Sequence, residues 1–464
     1  MIDNELRAKV KAFVGENKEN IVKDIKEIVS VKSVAEEPFE GAPFGKGPKA
    51  ALERGLEMAR RLGLETKDLD GYIGYAQLKG ESDTYLATIG HLDVVPEGNG
   101  WKADPFTVRD IEGWLIGRGV ADNKGACILT MYMLKFFKDN YPKLPYTLRA
   151  LFGCDEETGM TDVAHYLAHE KAPAFAFTPD ANFPVCCGEK GIVSFDLTSK
   201  KILGGNVVDF TAGVASNVVP DKAFITFKKS AGKFPACEGI DIAEGTEAVK
   251  LTANGKGGHA ASPANTKNAI GMLVKYGLDN SLFSQEEKPY MEALMDLHKV
   301  TDGSGLGIDA DDGLFDPLTC IGGMMKIEDG KFVQNINIRY PTNTDDVKIY
   351  GILKARFEAV GGSVPPTHGK APFYIDPSNP VITALMDTYN ELTNQDTKAY
   401  VIGGGTYARK FPLAVGFGIE PRGEVAPSFI GSAHGAEEGY SIDGFMSALE
   451  IIIMSMDKLL KLDF

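Results

Sequence analysis

Up to about residue 185, short apolar runs alternate with longer segments of helical period. "TYLATIG" (84–90), "YTLRALFG" (146–153) and "AFAFTPD" (174–180) are mostly apolar, and each ends in glycine or a polar turn residue. Such runs predict strands buried on both faces. Between the first two, "NKGACILTMYMLKFFKDN" (123–140) sets Ile128, Met131, Leu134 and Phe137 at helical spacing. Strands separated by helices predict an α/β domain on a mixed, largely parallel sheet flanked by helices.

The texture changes after about residue 190. "GIVSFDLTSKK", "KAFITFKKS" and "TEAVKLTANGKGG" read as two-sided strands of an antiparallel sheet, and this α+β texture runs to about residue 372. "IDPSNPVITALMDTYNELTN" then supplies a helix start, with Asn379 at the N-cap and Pro380 at the first helical position. "SIDGFMSALEIIIMSMDKLLKL" reads as another long amphipathic helix. The pattern predicts a discontinuous α/β domain, 1–188 with 373–464, interrupted by an inserted α+β domain, 189–372.

Composition narrows the classes. The formal net charge of −15 argues against nucleic acid or an anionic membrane as the main partner. The N-terminal stretch is too charged for a secretory signal, and no apolar run approaches the roughly 18 residues of a membrane span. Six cysteines show no framework spacing. A reduced, cytoplasmic setting is the expectation.

Acids and histidines recur at the ends of the predicted strands. "GHLDVVP" gives His91 and Asp93, "GRGVADNKG" gives Asp122, "GCDEETG" gives Asp155, Glu156 and Glu157, "FTPDAN" gives Asp180 and "GSAHGAEEG" gives His434. Taken singly, each has an ordinary reading: Asp122 as a helix N-cap, the others as polar turns. Together, two histidines and several carboxylates cap apolar runs, and in open α/β sheets ligands bind beyond the carboxyl ends of the strands. Imidazole and carboxylate are the ligand set of two zinc-like ions sharing a bridging carboxylate. Asp93, two residues after His91, is placed to orient that ring. Neighbouring glutamates in extended chain diverge, so one can bind metal while the other serves as general base.

"GHLDVVPEG", "GRGVADNKG", "DEETG", "TPDANFP" and "SAHGAEE", in this order, resemble the M20 family of metallopeptidases over nearly the whole chain. The pattern is most similar to the Xaa-His dipeptidase (PepV-type) branch of Gram-positive bacteria. The resemblance implies an α/β catalytic domain with two Zn²⁺, for which Mn²⁺ or Co²⁺ could substitute, and an inserted two-lobed lid. It implies that Asp122 bridges the ions, that His91 and Asp180 complete one, and that Glu157 and His434 complete the other. Asp93 would orient His91. Glu156 would be the general base for a metal-bridging water attacking the peptide carbonyl.

The resemblance also assigns residues outside these motifs. In the lid, His259 of "NGKGGHAASP" would stabilise the oxyanion, while Asn217 of "GVASNVVPD" and Arg339 of "INIRYP" would hold substrate. Gly405, Thr406 and Arg409 of "GGGTYAR" resemble a loop for the substrate carboxylate. The long lid implies a catalytically self-sufficient monomer whose partner is a small peptide. The expected activity is hydrolysis of dipeptides with free N- and C-termini. An N-acyl amino acid amidohydrolase, of desuccinylase or deacetylase type, is the competing enzyme reading. A non-catalytic peptide-binding protein is the competing class, and the retained Glu156 argues against it.

Overall fold

The apolar runs expected as strands form the middle of a mixed sheet in the computed structural model, which describes residues 3–464. The strand order is Glu65–Leu69, Ile73–Leu78, Tyr146–Gly153, Ser82–His91, Phe175–Thr178, Ala414–Gly416, and then the strand that begins at Cys186. The first two pairings are antiparallel, and the next three are parallel. Four neighbouring parallel strands therefore end at one edge of the sheet. His91 stands opposite Gly153, and Thr88 stands opposite Phe177. That register puts the start of the "DEETG" loop beside the histidine that closes the central strand.

The helix Gly125–Asn140 is buried nearly all round, well beyond the stripe that its spacing predicted. The sheet lies on one side, and the helices Asn4–Val29 and Ile442–Leu459 pack against it on others. Apolar residues occupy nearly every face because only the last turn, Lys138, Asp139 and Asn140, is exposed. Pro380–Thr393 begins as expected, with the Asn379 side chain accepting from Val381 N–H. No helix among the described residues is long and apolar enough to cross a membrane.

The chain divides into two compact units. One is Met1–Gly188 with Ile375–Tyr400 and Gly405–Phe464; the other is Glu189–Tyr374 with Val401–Gly404. The short segment 401–404, expected in the first domain, groups with the second. Lys190 N–H donates to Ile402 O (2.9 Å), and Arg339 Nη1 donates to Gly403 O (3.2 Å).

The second unit is built on a seven-stranded antiparallel sheet. Its order is Gly191–Thr198, Lys331–Tyr340, Thr319–Glu328, Val207–Ala212, Lys222–Lys228, Ala248–Asn254, Ile240–Glu244. Burial alternates along Lys222–Lys228 and Ala248–Asn254, as the two-sided pattern requires. The sheet has two wings, which meet at one paired position, Ala212 opposite Met325. A single apolar core runs beneath both wings.

Two glycines in the first unit let site residues crowd the sheet edge. A Cβ at Gly90 would meet Cys127 Sγ at 2.7 Å, and one at Gly153 would collide with the Tyr407 hydroxyl and the Asp162 carboxylate. Tyr407 OH donates to Asp162 Oδ2 there, and both side chains are fully buried. Gly153→Ala should therefore destabilise the fold by about 1–3 kcal/mol through overpacking. Urea denaturation checks this, and an unchanged midpoint would show that the pair can yield without cost.

Candidate metal centre

His91 closes a buried strand, and Asp93 follows in the extended segment after it. Glu156 and Glu157 occupy the loop after Tyr146–Gly153, and Asp180 the loop after Phe175–Thr178. Asp122 arrives by another route. It breaks the tight turn 120–124 with extended backbone (φ −124°, ψ 94°), just before Gly125–Asn140. Its carboxylate faces the two histidines instead of capping that helix. A small three-stranded sheet delivers His434: Gly439–Ser441 pairs with Trp114–Ile116, so the "GSAHGAEEG" segment lies beside "GRGVADNKG".

The two carboxylate oxygens of Asp122 face different histidines. Oδ1 is 2.9 Å from His91 Nε2, and Oδ2 is 2.9 Å from His434 Nε2. His91 Nε2 also lies 3.7 Å from Asp180 Oδ2, and His434 Nε2 lies 3.0 Å from Glu157 Oε1. The outcome is two three-residue groups, His91–Asp122–Asp180 and Asp122–Glu157–His434, which share Asp122. In each group the ligand atoms lie within 4.8 Å of one another. Glu156 belongs to neither group.

Asp93 holds the site by two routes. His91 Nδ1 donates to the Asp93 backbone carbonyl (3.0 Å) and lies farther from its carboxylate (3.5 Å). The carboxylate accepts from the backbone N–H groups of Glu156 (3.3 Å) and Glu157 (3.1 Å). Orientation of the His91 ring thus comes mainly from the main chain, and the Asp93 side chain clamps the glutamate loop.

The electrostatics follow from burial of like charge. Burial, then the Asp180 charge, pushes the Glu156 carboxyl well above the ordinary range. Burial and the charge of Asp122 raise Asp180 to about 7. Burial also acts to raise Asp122, but hydrogen bonds from His434 and His91 outweigh it and hold that carboxyl low. Asp122 and Glu157 in turn raise His434 to about 10.

The residues fit a pair of divalent ions. Imidazole nitrogens and carboxylate oxygens converge, and the donors suit zinc-like cations. One buried oxygen in the cluster, Glu156 Oε1, makes no hydrogen bond. Buried acceptors without donors cost free energy unless a cation meets them.

The remaining expected residues divide between the two units. His259 pairs with Val218, next to Asn217, in the second unit. Its Nδ1 accepts from Ala261 N–H (3.2 Å), which leaves the neutral ring's proton on Nε2. Arg339 is buried, and its Nε donates to Asn337 Oδ1 (2.8 Å). In the first unit, Thr406 Oγ1 accepts from Ala408 N–H and starts the short helical turn Tyr407–Lys410. Gly405 leaves room for the Arg409 guanidinium, which a Cβ there would meet at 2.9 Å.

Other residues that shape the centre escaped notice in the sequence. Glu438 Oε1 accepts from the backbone N–H groups of Gly119 (2.9 Å), Ala121 (3.2 Å) and Asp122 (3.1 Å), while Oε2 pairs with fully buried Arg118. Arg118 Nη2 also donates to His434 O (3.1 Å). Asn123 accepts from His91 N–H (3.4 Å) and donates to Pro179 O (3.4 Å), tying two strand ends. The available signal was an arginine between two glycines in "GRG", a place suited to a buried cation.

The family model described as "Peptidase family M20/M25/M40" matches residues 87–458. The chain belongs to this family, and it is a hydrolase of the peptidase class. It is 32% identical to the Beta-Ala-Xaa dipeptidase of Lactobacillus delbrueckii subsp. lactis, over 96% of this chain and 97% of that one. Its fold is similar to human carnosine dipeptidase 1 (TM-score 0.61, 15% identity, covering 98% of this chain and 99% of that one). It is also similar to the Bacillus subtilis YXEP protein, described as a dinuclear metal-binding peptidase (TM-score 0.54, 10% identity, 97% and 99%).

Removing Glu438 strands the Arg118 cation in the interior. Glu438→Ala should cost about 3–5 kcal/mol of stability. Adding Arg118→Ala should cost less than the sum of the two single changes, as read in a double-mutant cycle of urea midpoints. Additive losses would show that the pair is not coupled.

Proposed function

We propose that the protein is a two-metal dipeptidase that hydrolyses dipeptides with free N- and C-termini, and that zinc is its metal. The observation that supports this reading most is the division of Asp122 between two histidine–carboxylate groups, with Glu156 beside them and outside both. The dipeptidase relative that covers nearly the same length supports the substrate class.

His91, Asp122 and Asp180 would hold one ion, and Asp122, Glu157 and His434 the other. Bound there, the ions supply Lewis acidity, which polarises a peptide carbonyl and acidifies water. Glu156 takes the proton of the attacking water and delivers it to the leaving amine. Its unpartnered, buried Oε1 suits that shuttle, because no hydrogen bond must break before the proton arrives. Asp93 keeps His91 and the glutamate loop in register. His259, with its proton on Nε2, donates to the developing oxyanion. Asn217, Arg339, Gly405, Thr406 and Arg409 are assigned to substrate binding, with a guanidinium for the free α-carboxylate. The enzyme works as a self-sufficient monomer in the cytoplasm.

Glu156→Gln keeps the shape and loses the base. It should lower kcat by about 10²–10⁴-fold while the metal content stays that of the wild type. Steady-state kinetics with metal analysis test this, and near-normal turnover would remove Glu156 from its role. A substrate panel tests the class: free dipeptides should be hydrolysed and N-acyl amino acids left intact. The opposite result would favour the amidohydrolase reading.

A further inference from the structure

A second kind of ligand cluster lies outside the acidic centre. Asp70, His165 and His169 each bring one ligand atom to within 4.8 Å of the others. Asp70 lies in the turn between Glu65–Leu69 and Ile73–Leu78, and the two histidines lie one turn apart on the helix Thr161–His169. Residues at that spacing share a helix face. His165 Nε2 is 3.0 Å from Asp70 Oδ2, close to the separation of two ligand atoms on one small ion.

Two further contacts prepare the imidazoles as ligands. His169 Nδ1 donates to the His165 carbonyl (2.8 Å), so the lone pair of that ring sits on Nε2. Metal-ligating histidines are commonly fixed in this way, by a carbonyl on the other nitrogen. Tyr72 stacks on His165 with ring centroids 4.1 Å apart and planes 8° apart, which sets the ring's orientation. Two imidazoles and one carboxylate select a borderline divalent ion such as Zn²⁺ over Mg²⁺ or Ca²⁺.

We propose that Asp70, His165 and His169 form an additional divalent transition-metal site on the first unit, separate from the Asp122 centre. Such an ion would fasten the far end of Thr161–His169 to the Asp70 turn. The near end of that helix organises the loop of Glu156 and Glu157. Thr161 N–H donates to Asp155 Oδ2 (2.8 Å), and Asp162 Oδ2 accepts from the N–H groups of Cys154 (2.8 Å) and Asp155 (3.1 Å). The ion would brace only the outer end of this helix, because the hydrogen bonds at its near end hold the loop without it.

The test is equilibrium dialysis of the metal-loaded protein against increasing free Zn²⁺, with metal per chain measured for the wild type, His169→Ala and Asp70→Asn. The wild type should bind one more Zn²⁺ per chain than either variant, and kcat should be the same in all three. Added Zn²⁺ should raise the Tm of the wild type and leave that of the variants unchanged. Equal zinc content in all three proteins at every concentration would overturn the proposal. Asp70→Asn, nearly isosteric and at a turn, decides the matter if His169→Ala misfolds. The readout is a difference between variants, so it stands whether or not the dipeptidase reading holds.

Discussion

Buried negative charge is the constraint on which this structure turns. Asp93, Asp122, Glu156, Glu157, Asp180 and Glu438 gather at one edge of the sheet, where water is scarce. Carboxylates in that setting repel one another and lose hydration, so each needs a donor or a cation. The fold meets part of the demand with protein groups. Asp93 takes two backbone N–H groups, Glu438 takes three and Arg118, and Asp122 takes two histidines. What is left, Glu156 Oε1, is the share that suits a proton in transit.

The same constraint explains the surrounding architecture. Parallel strands end together, so His91 and the glutamate loop meet without long connections. Glycines stand where side chains from flanking helices must approach the strands: Gly90 against Cys127, and Gly153 against Tyr407 and Asp162. A three-stranded side sheet carries the His434 segment to the Asp122 turn, and Arg118 then binds both the Glu438 carboxylate and the His434 carbonyl. The parts of the site that are far apart in sequence are thus locked to one another by buried charge.

Much of this was legible beforehand. Apolar runs ending in acids or histidines marked the sheet edge, because a strand buried on both faces must be apolar and its ends are the first places that polar groups can emerge. Asn379 and Pro380 marked a helix start that the structure keeps. The helix Gly125–Asn140 was legible as a helix but not as a nearly enclosed one, since spacing reports a face and not what covers the others. The segment 401–404 could not be assigned correctly, because its carbonyls accept from the Lys190 N–H and the Arg339 guanidinium, both remote in sequence.

The sequence by itself determined which residue types stand at strand ends, and so the chemistry: imidazoles and carboxylates in the order of one peptidase family. Tertiary structure alone decided how they divide the work. Only the fold turns one oxygen of Asp122 to each histidine, directs the Asp93 carboxylate to the glutamate loop while its carbonyl orients His91, and hides Arg118 behind Glu438. Ligand identity is a property of side-chain chemistry, which is local. Coordination, tautomer and charge pairing are properties of distance between segments hundreds of residues apart, and these are fixed only when the sheet edge closes.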